Sequence, residues 1–179
     1  MIRTSAAAVF CLAAVVSLAN TPPALAEQSA SITGRVVRVA DGDTITVELQ
    51  DKRRVRVRLQ GIDAPELTMA YSLVSRRYLT DLVMHKMVTF SPEKLDRHGR
   101  TVAVVRLQDG TDVCLAQLQA GLAWHFKRYE REQSPEERAA YAAAEAIARA
   151  RRRGLWRDES PTPPWEFRAK FRSEEVSSS

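Results

Sequence analysis

Three carboxylates stand where the chain pattern breaks for turns: Asp43 in the run Asp41, Gly42, Asp43, Thr44, Asp63 ahead of Ala64 and Pro65, and Glu66 directly after that proline. Carboxylates grouped at turns suit a hard cation such as calcium, which takes oxygen ligands and tolerates irregular geometry. Zinc would want histidines or cysteines in numbers this chain lacks. Asp43 and Asp63 are therefore candidate ligands. A cation held by two aspartates retains waters that Glu66 is placed to deprotonate or orient. Arg58 and Arg100 supply the complementary charge. A phosphodiester under attack gathers negative charge on its oxygens, and a guanidinium offers a planar, permanently charged fork to receive it. A lysine point charge holds two oxygens less well.

These residues need a frame that brings them together. From Ser31 to Leu59 β-branched residues dominate, punctuated by Asp41 to Asp43 and by Gln50, Asp51 and Lys52, which predicts three short antiparallel strands. In the third, Val55, Val57 and Leu59 alternate with Arg54, Arg56 and Arg58, so one face packs and the other is cationic. Antiparallel pairing then sets Asp43, opening the second strand, beside Asp63, ending the third. Helical spacing predicts a helix from about Met69 to His85, with Met69, Leu73, Leu79, Leu82 and Val83 on its apolar face. Strands follow at Val88 to Ser91 and Thr101 to Leu107, joined through the Gly99 turn. A helix covers Leu115 to Ala120 and stops at Gly121. The last helix carries Ser134 as N-cap, Pro135 at its first position, Glu137 to complete a capping box, and Gly154 as its stop. Five short strands with about three packed helices make an α+β, mainly β fold, and the OB-fold β-barrel is the architecture this pattern predicts.

The N-terminus reads as a secretory signal peptide over residues 1–26: Arg3, a short apolar run, and the small-residue site Ala24, Leu25, Ala26. A membrane anchor needs about 20 apolar residues, and Pro22 and Pro23 break this run. Cys11 follows Phe10, where a lipoprotein signal wants a small residue, so it fills the apolar run. After cleavage the protein is expected to be periplasmic or secreted, without stable membrane association. One cysteine then remains, Cys114, so a hydrophobic core must hold the domain rather than a disulfide. Residues 27–159 form that domain. From Ser160 the composition turns proline-rich, and the 160–179 tail is expected to end in disorder, with Trp165 and Phe167 free to clip it back. The formal charge of +5 favours a polyanionic partner but is modest.

It is on the carboxylate and arginine set that the chain resembles the staphylococcal nuclease (thermonuclease) family. The match runs through Asp41 to Thr44, Val57 to Leu59, Gly61 to Glu66 and Asp96 to Arg100. It continues through Gly121 to Trp124, Gly154 to Trp156, and Pro163, Pro164, Trp165, Glu166, Phe167, Arg168. Several motifs in one order are specific where any one alone is not. The resemblance implies that Asp43, Asp63 and the backbone carbonyl of Ala64 hold calcium, with Asp41 supporting its waters. Glu66 orients or activates the attacking water, and Arg58 and Arg100 grip the phosphate. It implies a monomeric endonuclease acting on DNA and/or RNA with little sequence preference and leaving 3′-phosphate ends. The family's nucleotide-stacking positions fall on Lys127 and Tyr129. Threonine is common in the family at the position of Ala64, but a main-chain ligand survives that change. The segment Leu67 to Tyr78 lacks the Gln and Gly that often follow the glutamate, which bears on substrate entry.

Other charged and aromatic residues have plainer readings. Arg54 and Arg56 fit solvated strand positions or contacts to a nucleic-acid backbone. Arg149, Arg151, Arg152 and Arg153 complement a helix C-terminus. His85, His98 and His125 show no metal-ligand spacing, and Tyr141 and Trp156 suit packing. The rival class is a non-catalytic OB-fold nucleic-acid-binding module, since such barrels hold single strands on basic, aromatic faces.

Overall fold

The domain opens with a three-stranded antiparallel meander of β1 (Ile32–Val39), β2 (Thr44–Glu48) and β3 (Arg54–Leu59). The computed structural model describes residues 31–177, with side chains described through residue 173, so the readings of residues 1–26 and of Cys11 lie outside the described residues. Alternation in β3 is as expected: Val57 and Leu59 are buried, Arg54 and Arg56 are exposed, and Arg58 is half-buried. The register of β1 against β2 shifts between Val36 and Arg38, a bulge that bends β1 so that its first half can pair with another strand. That strand is β5 (Met87–Phe90), which lies antiparallel to Ile32–Arg35.

The remaining strands are shorter: β4 (Ile62–Asp63), β6 (Lys94–Leu95), β7 (Thr101–Ala103), β8 (Val105–Leu107) and β9 (Trp124–His125). The main sheet has the order β6-β7-β3-β2-β1-β5-β8, and β4 and β9 form a separate pair. The five-strand expectation is therefore corrected in detail. The predicted strand at Thr101 to Leu107 is divided at Val104, because its first part lies parallel to β3 and its second antiparallel to β5. The strands β4, β6 and β9 are two residues long, too short to carry a period in sequence.

One core fills the space between the strands and helices. Val36, Ile45, Val47, Val57, Val88, Phe90 and Val105 are fully buried from the sheet, joined by Leu79 and Val83 of α1 (Ser72–Val83) and by Val113, Cys114 and Leu118 of α2 (Val113–Gln119). Each such aliphatic side chain contributes about 1.5–3 kcal/mol of burial. The helix expected from about Met69 begins at Ser72 because Tyr71 takes a left-handed backbone, φ 63°. Its inward face also differs. Ser72 and Ser75 are buried and bonded, Ser72 Oγ to the Leu67 carbonyl and Ser75 Oγ to the Leu122 carbonyl, whereas Leu73 is 71% exposed.

Helix α3 (Pro135–Ala150) starts on the expected capping box, with Ser134 Oγ accepting from the Glu137 N–H and Glu137 reaching back to the Ser134 N–H. It ends before Gly154, which instead opens a short 3-10 turn, Gly154–Arg157. There the backbone closes on Gly121. The Leu155 N–H donates to the Gly121 carbonyl at 2.9 Å, both glycines have positive φ, and a Cβ on either would enter the other's backbone surroundings. Beside this contact a second small core forms from Trp124, Ala148, Leu155 and Trp156, with Tyr71 and Trp165 against it.

The proline-rich tail carries a helix that its composition did not announce, α4 (Pro164–Ser177). Pro164 takes the first helical position, where its missing N–H costs nothing, and the Trp165 to Glu175 stretch that follows contains no further proline or glycine. Residues 178 and 179 lie outside the described residues. No described helix is long and apolar enough to cross a membrane.

Candidate active site

Asp43 is placed by a tight turn. The Asp41 side chain accepts the Asp43 N–H at 3.0 Å, and Gly42 between them lies so close to Ser75 and Ala64 that a Cβ there would collide with both. Asp43 is buried just ahead of β2, and its Oδ2 accepts the Ala64 N–H at 2.7 Å, which pins the Ala64 peptide beside it. Asp63 arrives from the other direction on β4, held by pairing with Trp124 of β9. It too is buried.

Arg58 joins them. It is the register partner of Thr44 across β3 and β2, so it stands one residue from Asp43. Its Nη1 donates to the carbonyls of Leu59 and Ile62 at 2.8 and 2.9 Å, and its Nη2 lies 2.8 Å from Asp63 Oδ1 and 3.2 Å from Asp43 Oδ2. The two carbonyls fix the plane of the guanidinium and leave one edge against both carboxylates. Arg100 enters from the Gly99 turn. Its Nε donates to Asp96 Oδ2 at 2.7 Å and its Nη1 to Thr44 Oγ1 at 3.1 Å, while Thr44 Oγ1 donates onward to Asp43 Oδ1 at 3.1 Å. Both arginines thus reach the Asp43 carboxylate, one directly and one through a hydroxyl.

The local field is crowded with negative charge. Burial, then the neighbouring Asp43 carboxylate, pushes the Asp41 carboxyl up to about 6. Burial also raises Asp63, against the pull of Arg168 and Arg58. Asp96 goes the other way: burial would raise it, but the N–H donors and guanidinium of Arg100 outweigh that and hold it below the ordinary carboxylate range.

An acidic, all-oxygen set fits a hard cation, whose charge relieves the cost of burying carboxylates together. Asp43, Asp63 and the Ala64 carbonyl are the groups that would hold it. Among the described residues no cluster of three or more His, Cys, Asp or Glu side chains forms a metal cage; main-chain oxygen and water would complete the coordination of a cation held there.

Glu66 is on the same side of the molecule, and its carboxylate is bonded to a residue that sequence reasoning did not assign. Arg168 of α4 donates from Nη1 to Glu66 Oε1 at 2.6 Å and from Nη2 to Asp63 Oδ2 at 2.8 Å. The only signal available was its place at the end of the Pro163 to Arg168 motif, where it resembled any solvated charge.

The other expected residues stand apart from this cluster. Arg56 is exposed on β3, two residues from Arg58 and on the same face. Lys127 and Tyr129 lie on a 3-10 segment, Lys127–Glu132; Lys127 faces Glu145 at 3.9 Å, and one face of the half-exposed Tyr129 ring carries the Lys94 ammonium 4.6 Å from its centre.

Comparison with known proteins finds relatives along most of the chain. The family model described as "Staphylococcal nuclease homologue" matches residues 56–158. An "Uncharacterized endonuclease" of Escherichia coli O157:H7 is 40% identical over 139 residues, which is 78% of this chain and 86% of that protein. "Protein ParB" of Escherichia coli is 37% identical over 176 residues, covering 94% of both. "Micrococcal nuclease" of Shigella flexneri is 36% identical over 174 residues, covering 93% of this chain and 95% of that one. With the family model spanning more than half its length and relatives aligned nearly end to end, the chain belongs to the staphylococcal nuclease family.

Proposed function

We propose that the protein is an exported, calcium-dependent endonuclease that hydrolyses phosphodiester bonds of DNA and/or RNA with little sequence specificity and leaves 3′-phosphate ends. The observation that carries this reading is the placement of Arg58 against both Asp43 and Asp63, with Arg100 joined to Asp43 through Thr44. Two fixed guanidiniums beside two buried carboxylates form the pairing that phosphoryl transfer to water requires: cation sites for the phosphate oxygens next to an anionic seat for a metal. Family membership and the name "Micrococcal nuclease" of a relative support the same reaction.

In this mechanism Glu66 accepts a proton from the attacking water or orients it. The water oxygen bonds to phosphorus as the bond to the 5′-oxygen of the next nucleotide breaks, and that oxygen takes up a proton. Arg58 and Arg100 receive the charge that accumulates on the phosphate oxygens. Calcium, when bound at Asp43 and Asp63, supplies Lewis-acid polarisation of phosphate and water.

The test is incubation of the purified protein with end-labelled single-stranded DNA, with calcium or with chelator. Cleavage with calcium, and products that require phosphatase before they can be extended, are expected. Intact DNA in both arms overturns the enzyme reading, and a retarded band without cleavage favours the binding-module alternative. Export is checked separately by sequencing the N-terminus of the protein recovered from periplasm and medium, where a start near Glu27 is expected.

A further inference from the structure

We infer that Arg168 is a positioning residue of the reaction, holding Glu66 in a set direction beside Asp63, so that the C-terminal helix α4 completes the active site. The inference rests on the proposed nuclease function.

The Arg168 guanidinium spans both carboxylates. Nη2 donates to Asp63 Oδ2 at 2.8 Å, Nη1 lies 3.3 Å from Asp63 Oδ1, and the same Nη1 donates to Glu66 Oε1 at 2.6 Å. Exposed ion pairs contribute little, but the Asp63 side chain here is only 2% exposed, and a bidentate fork fixes direction as well as distance. Glu66 itself has no element to hold it. It lies in irregular chain after Pro65, and Arg168 is the hydrogen-bonding and ion-pair partner of its carboxylate among the described residues. The loop's own bonds to Glu66 run through its main chain, to Met69, and leave the direction of the carboxylate to Arg168.

The position of Arg168 is in turn determined by the frame that places Asp63. The Trp165 ring, one helical turn before Arg168, packs against Phe126 with the ring centres 5.5 Å apart and the planes tilted by 34°. Phe126 directly follows β9, which pairs with β4 and Asp63, and its N–H donates to the Gly61 carbonyl at 2.8 Å. Asp63 and the anchor of α4 are therefore neighbours on one two-stranded ladder. A guanidinium carried this way moves with Asp63, which is what a group that sets Glu66 relative to the reacting phosphate needs. Displacing a catalytic group by about 1 Å costs on the order of 100-fold in rate.

The experiment is a double-mutant cycle of Arg168→Ala and Glu66→Gln in the full chain. Expected are a fall in kcat of about 10- to 100-fold for Arg168→Ala with KM nearly unchanged, and partial rescue by Arg168→Lys. On the Glu66→Gln background, Arg168→Ala should change kcat by less than about threefold, because the residue it positions is already disabled. Urea unfolding of the four metal-free proteins supplies a readout apart from activity: the two substitutions should lower the midpoint by less together than the sum of their separate effects. Additive losses in kcat, or additive midpoints, overturn the inference. Faster cleavage or tighter calcium binding by Arg168→Ala overturns it too, since Arg168 would then be a plug competing for Asp63. An inactive wild-type protein would instead sink the proposed function, and this role with it; an active wild type with an additive cycle sinks this role alone.

Discussion

The side-chain amide of Gln117, on α2, donates to the backbone carbonyl of Gly42 at 2.5 Å, so a helix remote in sequence buttresses the turn that presents Asp43. The same amide lies 3.3 Å from the Ser75 carbonyl, and Gln117 is fully buried. Replacing it by leucine keeps the volume and leaves the buried Gly42 carbonyl without its side-chain donor. Gln117→Leu is expected to lower stability by about 1–3 kcal/mol and to weaken calcium binding several-fold through the Gly42 turn. Urea titration and calorimetric titration check the two effects.

Arg58 and Arg100 should separate when each is substituted. Arg58→Ala strips the guanidinium from two buried carboxylates, and loss of one partner of a buried pair costs about 3–5 kcal/mol. Arg58→Lys and Arg100→Lys should each cost roughly 100- to 1,000-fold in kcat while the fold survives. The difference appears in stability of the metal-free protein, where Arg100→Ala should cost less, because its carboxylate partner Asp96 is nearer solvent. Single-turnover kinetics and denaturant midpoints on the same samples test this.

Calcium should raise the melting temperature, and at 100 times the dissociation constant a single site contributes about 2.7 kcal/mol. Asp63→Ala is expected to abolish the rise. Glu66→Gln is expected to keep it while losing rate, since the proposed mechanism has Glu66 act on water and not as a ligand. Scanning calorimetry with calcium and with chelator distinguishes these outcomes, and a rise lost in Glu66→Gln would make Glu66 a ligand.

Burial, followed by the Asp112 charge, pushes the Cys114 thiol up from 9.0 to about 12. Below pH 9 both folded and unfolded chains keep the thiol protonated, and the group has no effect on the balance. As pH climbs from 9 towards 12 the unfolded chain ionises first and the folded state loses stability. The native protein should be inert to Ellman's reagent at pH 8 and react on unfolding. Between pH 9 and 10.5 it should lose about 2 kcal/mol that Cys114→Ala does not lose.

What could be seen in the sequence was what repeats or punctuates. The β1 to β3 meander was legible from its β-branched alternation and turns, and the start of α3 from its capping box. That Asp43, Asp63, Arg58 and Arg100 would meet was legible from residue chemistry and motif together. Leu73 misled because the inward face of α1 begins with two serines, Ser72 and Ser75, that bond to main-chain carbonyls before Leu79 and Val83 take over, which a hydrophobic period cannot register. Val104 was invisible as a break, since a change of pairing partner leaves no mark on composition. Arg168 was missed for a related reason. Its partners lie 102 and 105 residues away, and an arginine in a charged helix looks the same whether it meets water or a catalytic carboxylate.

The divided strand at Val104 also has a kinetic consequence. Its first part must find β3, a segment far back in the chain, while its second finds the nearer β5. The longer closure is slow, because the entropy of ordering the intervening loop is lost before any contact compensates. Arg100 is the residue that leads into this segment, so it takes its place beside Thr44 only when the β3–β7 pairing has formed. Phosphodiester cleavage should therefore return late in refolding, behind the recovery of helical signal from α3, whose capped sequence organises locally.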